Sequence, residues 1–345
     1  MRGFSAMRRF FIKAFSFVIG LSLIFNVLGT LADQAAPLED WRAQQQERAD
    51  HLEARQEKIG AITLGNSHSD SVDYSVLGME GQSLAFAAAD LFEVEQYATL
   101  TAAELPNLKF VFVAISYYSF SRDNATFEPF RTRRIQFYSM VPTWPPIRGD
   151  AYNFVLGRLE SFTHVMSIVR SDNWEGVWSE LQNDVPHENP FPYDGVQTMS
   201  AWGECSHYTE AQLESHAREI AARNVNSSGQ MAMIHQGLEQ DAFDALARTI
   251  ERLQSKGIRL VLFTPTYYEK YTEYFAETSS YMIGEMQANV ERLRQMYQVE
   301  YYDFSNDPEI RNQPELFYNS DHLGDCGQKI FSAKLLQAMN DHSEN

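Results

Sequence analysis

Lys109–Ile115 reads KFVFVAI, and the architecture of the chain turns on it. After the lysine every side chain is aromatic, β-branched or alanine, with none of the polar alternation of a strand that has one wet face. A strand apolar on both faces is covered on both, and the elements that cover parallel strands are helices. Upstream, IGAITLG (Ile59–Gly65) is a second short apolar run, and it stops at a glycine. Between the two, the stretch from Leu84 to Thr101 is rich in alanine and leucine and predicts the crossover helix, which Pro106 and Asn107 close. Downstream the punctuation resumes with helix Leu238–Ser255, Gly257 as its C-terminal cap and strand RLVLFT (Arg259–Thr264). Helix Ser280–Tyr297, strand VEYYDF (Val299–Phe304) and a closing helix Gly327–Asn340 follow. That alternation predicts an α/β fold on a doubly wound parallel sheet with right-handed crossovers.

From Ser121 to about residue 235 the periodicity weakens, and Pro and aromatic residues gather in VPTWPPIRG and ENPFPYDG. Helical pieces at Tyr152–Arg170 and Glu210–Asn224 sit between loops, so residues 121–235 read as a large, mostly helical insertion that shapes or covers a site. At the other end, Arg2, Arg8, Arg9 and Lys13 precede the uncharged run AFSFVIGLSLIFNVLGTL (Ala14–Leu31), and Asp33, Glu39 and Asp40 follow it. This order predicts a transmembrane signal anchor within residues 1–35, with the N-terminus inside and the body outside the cytoplasmic membrane. Thr30 and Ala32 also fit a cleaved secretory signal, which would release the body; both readings export it to the periplasm or the outer surface. Leu38–Gly60 is polar on nearly every face and reads as a helical stalk over residues 36–58, leaving 59–345 as the α/β domain.

A net charge of −18 argues against a nucleic-acid partner, since nothing would neutralise a phosphate backbone. Cys205 and Cys326 are the only cysteines; one disulfide and two buried thiols fit equally, and no CxxC or Cys/His cluster suggests a structural zinc.

Sites in open parallel sheets form where the carboxyl ends of strands meet helix N-termini. Ser67, in ITLGNSHSD (Ile62–Asp70), lies just past the first strand, and His322, in YNSDHLG (Tyr318–Gly324), lies between the last strand and the last helix. A serine nucleophile needs a base, a group that orients the base, and donors for the developing oxyanion. His322 is the candidate base and Asp321 or Asn319 its partner. The backbone N–H groups of Ser67 and Gly81 are candidate oxyanion donors, helped by Asn66 or by Ser116 in AISYYSF. The plainer alternatives are that Gly-Asn-Ser is a helix-capping turn, Asp-His a cap, His68 a hydrogen-bonded loop residue, and Asp70 and Asp73 helix-start charges.

Four blocks in order, ITLGNSHSD, GQSLAFAAADL, FVFVAISYYSF and FYNSDHLGDCGQKIF, resemble those of the SGNH (GDSL-like) hydrolase superfamily. They are most similar to its membrane-anchored bacterial members related to cell-wall D-alanyl-transfer and alginate O-acetylation proteins. The resemblance implies a flavodoxin-like sheet of SGNH type and acyl ester chemistry without metal or cofactor. By position it makes Ser67 the nucleophile, Gly81 an oxyanion donor and His322 the base. Three departures accompany it: Asn319 stands at the usual acid position, so Asp321 must compensate. Ser116-Tyr117-Tyr118 replaces Gly-x-Asn-Asp, and His68 follows the nucleophile. The expectation is an exported serine esterase or O-acyltransferase acting on an acylated cell-envelope carbohydrate, with Trp144, Trp174, Trp178, Trp202 and Tyr193 available to stack on sugars. The competing readings are a non-catalytic scaffold that binds a membrane-protein partner through its insertion, and a glycan-binding module.

Overall fold

The computed structural model describes residues 13, 50–126, 130–131, 134–135, 137–138, 150–162 and 208–343. The apolar run at 14–31, most of the stalk, the five insertion aromatics named above and Cys205 lie outside the described residues. Among the described residues no helix is long and apolar enough to cross a membrane.

Five strands, β1 (Ala61–Leu64), β2 (Gly81–Ser83), β3 (Phe110–Ala114), β4 (Arg259–Thr264) and β5 (Glu300–Asp303), form one all-parallel sheet in the order 2-1-3-4-5. This is the order of flavodoxin-like doubly wound sheets, and it reverses between β1 and β3, the switch point at whose carboxyl ends such sheets bind ligands. The helices are α1 (Tyr74–Leu77), α2 (Leu91–Glu104), α3 (Ala151–Phe162), α4 (Glu210–Ile234), α5 (Leu238–Ser255), α6 (Glu269–Tyr297) and α7 (Asp325–Ser343). Helix α2 packs against α5, α4 against α6, and α7 against α1. The buried side chains of the central strands, such as Ile62, Val111, Phe112, Val113, Val261 and Phe263, form the core beneath these helices.

Two expectations need correction. The crossover helix begins at Leu91 instead of Leu84, because Asp90 and Glu93 form a capping box: the Glu93 N–H donates to Asp90 and the Asp90 N–H to Glu93, each at 3.0 Å. The residues ahead of it form β2 and a loop that follows the sheet edge, with the Leu84 N–H donating to Thr63 O and the Phe86 N–H to Gly65 O. Helix α6 begins at Glu269, upstream of the expected Ser280, and has a non-helical residue at Ser279 where the two stretches join. Gly257, with a positive φ of 70°, follows α5 as expected.

The chain divides into two units. Gln45–Arg134 with Asp194–Asn345 carries the sheet and the site below. In the other, Met1–Gln44 with Ile135–Tyr193, the described residues include α3 and an aromatic cluster in which Tyr138 contacts Phe137 (5.6 Å between centroids) and Phe154 (5.3 Å). Cys326, in the first turn of α7, is disulfide-bonded.

Candidate active site

The site begins with Gly65, which ends β1 at φ +111°; a Cβ there would lie 2.9 Å from Ser69 Oγ. Only glycine tolerates both the dihedral and the approach. The sharp turn lets Asn66 cap the 3₁₀ turn Ser67–Ser71, its Oδ1 accepting the His68 N–H at 3.1 Å. Ser69 Oγ accepts the Ala114 N–H at 2.9 Å and ties the turn to the end of β3. The capping reading of Gly-Asn-Ser is therefore correct, but the cap is Asn66, and the Ser67 hydroxyl is left for other work.

His322 reaches Ser67 from a two-stranded antiparallel hairpin, β6 (Phe317–Asn319) and β7 (His322–Leu323), that directly precedes α7. Its Nε2 lies 2.7 Å from Ser67 Oγ. Its Nδ1 lies 2.9 Å from Asn319 Oδ1 and 3.1 Å from Asp321 Oδ1. Both acceptors require Nδ1–H, so Nε2 carries the lone pair and receives the Ser67 O–H, which is the tautomer a general base needs.

Behind this triad stands a second imidazole. His68 Nε2 lies 3.3 Å from Asp321 Oδ2, and its Nδ1 lies 2.6 Å from Ser116 Oγ. An ionised carboxylate only accepts, so His68 donates from Nε2, Ser116 donates its O–H to Nδ1, and the Ser116 oxygen in turn accepts an amide N–H of Asn66 at 2.9 Å. The Tyr267 hydroxyl stands 3.4 Å from the same Nδ1, and the two imidazole centroids are 4.9 Å apart. Two hydrogen-bond chains thus converge on Asp321, one donating from Asn66 through Ser116 and His68, the other from Ser67 through His322.

Burial holds His68 below its ordinary value, outweighing the hydrogen bond to Asp321, so it is neutral at neutral pH. Burial pushes Asp321 upward, but the charge and hydrogen bond of His322 and the hydrogen bond of His68 together hold its carboxyl well below the usual range. Burial raises Tyr118 to about 12, which keeps its hydroxyl protonated.

Of the sequence candidates, the structure brings Ser67, His322, Asp321, Asn319, Asn66 and Ser116 together. Ser116 is no oxyanion donor, because its proton is committed to His68. Gly81 is a correction: it pairs in register with Ala61, at the amino end of β1, whereas Ser67 lies beyond the carboxyl end. Its glycine is needed because the Tyr74 ring lies against it; a Cβ would fall 2.1 Å from Tyr74 Cδ1. The oxyanion donors at hand are the Ser67 N–H, which has no acceptor among the described residues, and the second amide N–H of Asn66.

Sequence reasoning set His68 aside as a loop residue and missed His216, which comes from α4 and places Nδ1 2.8 Å from Ser320 Oγ in the hairpin turn. Burial lowers His216 below its ordinary value. Among the described residues the group with metal-ligand geometry is His68, Asp321 and His322, whose ligand atoms lie within 4.8 Å of one another. An ion there would have to displace the protons on His68 Nε2 and His322 Nδ1.

No known family model matches the chain, and no curated protein is similar to it.

Proposed function

We propose that this protein is a serine acyl esterase or O-acyltransferase of SGNH type. It acts on an ester-bearing cell-envelope carbohydrate or a related acyl ester and is tethered through the apolar run Ala14–Leu31, with its body outside the cytoplasmic membrane. The observation that carries the reading is the 2.7 Å contact between Ser67 Oγ and His322 Nε2, with Nδ1 of the same ring held by Asn319 and Asp321. The 2-1-3-4-5 sheet supports it by placing this pair beside the β1/β3 switch point.

Ser67 Oγ attacks the acyl carbonyl carbon while His322 Nε2 takes the hydroxyl proton, and Asp321 stabilises the imidazolium that forms. The Ser67 N–H and the second Asn66 amide N–H face the developing oxyanion. As the intermediate collapses, the C–O bond to the leaving alcohol breaks and His322 returns its proton to that oxygen. Water or a sugar hydroxyl then gives a proton to His322, attacks the Ser67 ester, and releases free acid or a new ester along with the serine hydroxyl.

The test is covalent labelling by a fluorophosphonate probe together with hydrolysis of p-nitrophenyl acetate. Ser67→Ala is expected to abolish both, and His322→Ala to lower turnover by ~10³-fold or more. A folded parent protein that neither labels nor turns over would leave a non-catalytic scaffold in its place.

A further inference from the structure

Arg122 is only 3 % exposed, and its Nε is fully buried with no acceptor. Among the described residues its guanidinium forms neither a hydrogen bond nor an ion pair. Arg134, equally buried, shows what this chain does with a structural arginine: Nε donates to Glu93 at 2.9 Å and Nη2 pairs with Asp90. Arg122 has rings instead, its Cζ lying 5.0 Å from the Tyr118 centroid and 4.7 Å from that of Phe130. A ring attracts the cation but accepts none of its five N–H groups in the manner of an oxygen. A buried charge without a hydrogen-bonding partner is costly, and it persists where a ligand supplies what the protein withholds.

Arg122 lines a small cavity with Gly65, Asn66, Ala89, Tyr118 and Ser119. Gly65 and Asn66 are the two residues that lead into the nucleophile. The cavity measures about 10 Å³, room for one oxygen-sized atom. Asp90 also borders it, but the oxygens of Asp90 already accept from the Glu93 N–H, the Asn124 N–H and Arg134.

We propose that Arg122 is a recognition residue for a carboxylate carried by the substrate, received with one oxygen in the cavity beside Asn66. The space admits one oxygen and no ring, and the neighbouring Asp90 disfavours a phosphoryl dianion in favour of a monoanion such as a carboxylate. The role in turnover rests on the serine chemistry proposed above; the binding site does not. The carboxylate belongs to a dicarboxylic half-ester or to a uronate, and the two sources can be told apart.

Thermal melting of the full chain is followed with added succinate, glucuronate or sodium chloride at matched ionic strength, for the parent, Arg122→Met and Arg122→Lys. One of the two carboxylates is expected to raise the parent's Tm by at least ~2 °C, with chloride inert, with Arg122→Met unresponsive and with Arg122→Lys intermediate. Whichever acid acts identifies the source. Because the guanidinium has no hydrogen bond to lose, Arg122→Met without ligand is expected to melt no lower than the parent. If succinate is the active acid, Arg122→Met should also lower the preference for p-nitrophenyl hemisuccinate over p-nitrophenyl acetate by ~10-fold or more. No shift in the parent, an equal shift in Arg122→Met, or a marked drop in that variant's own Tm would each overturn the assignment. A parent that responds to carboxylate but never labels at Ser67 would remove the esterase reading and keep the site. One that labels but does not respond would do the reverse.

Discussion

His68 and Ser67 are consecutive in the chain, yet their hydrogen bonds reach Asp321 from opposite sides, His68 directly and Ser67 through His322. The turn makes this possible: Asn66 caps it, and the residue after the nucleophile is swung into the interior, where Ser116 and Asp321 await it. Removing the His68 imidazole deprives Asp321 Oδ2 of its donor, so the carboxylate is no longer fixed toward His322 Nδ1. We expect His68→Ala to lower kcat by ~10–100-fold with little change in KM, as losing an outer hydrogen-bond partner typically does. His68→Gln, whose amide N–H can stand in for Nε2–H, should recover part of the loss. A purely structural role would give equal losses for both variants, which the rate of fluorophosphonate labelling would reveal. Ser67 was legible in the sequence because it follows a strand readable as an apolar run, and His322 because it lies between the last strand of the sheet and the last helix. His68 was not, because a histidine in a capping turn is ordinary until Asp321, 253 residues away, is placed against it.

At the scale of elements, legibility followed the apolar pattern. Strands β1, β3 and β4 are short apolar runs buried on nearly every residue, and they stand where the sequence placed them. Strand β2 is only Gly-Gln-Ser, with no hydrophobic pattern, and exists because its backbone completes the edge beside β1. The alanine-rich stretch after it favours helix by propensity, yet Ala88 sits at φ +63° and the Asp90 cap delays α2 to Leu91. Hairpin β6–β7 was likewise unreadable, being too short for any period, although it carries Asn319 and His322. Gly81 illustrates the cost of assigning a role by block order alone: the residue matters, but for Tyr74. Gly81→Ala should destabilise the protein by about 1–3 kcal/mol through overpacking. The labelling rate of the folded fraction should not change. Adding Tyr74→Ala should make the second substitution far less harmful than in the parent background, which a double-mutant cycle of melting curves would measure. Additive losses would mean that the ring is not the obstacle.

Across the whole molecule, the alternation of strands and helices was enough to give the parallel sheet, and a hairpin outside that sheet brings Asp321 and His322 to Ser67. What the alternation could not give was the buried charge knot that fastens α2 to the segment after β3, because it joins residues far apart in sequence. Arg134 there meets Asp90, Glu93 and, at 3.5 Å, Asp123, while His235 Nδ1 lies 2.8 Å from Asp123 Oδ2. Acids outnumber the arginine, and the side chains of Arg134, Asp90 and Glu93 are all fully buried. Burial first, and then the charge of Asp90, raise Glu93 from an ordinary 4.5 to about 7 against the opposing pull of Arg134. Between those values the folded protein keeps a proton that the unfolded chain has released. Stability from this group is therefore complete below about 4.5 and is lost as the pH rises through about 7. Glu93→Gln has nothing to titrate, so its Tm relative to the parent should be more favourable at pH 8 than at pH 5. The titrations of His68 and Asp321 are common to both proteins and cancel in the difference. Melting curves of the two proteins across that range provide the check, and a Tm difference that stays constant with pH would place the proton elsewhere in the knot.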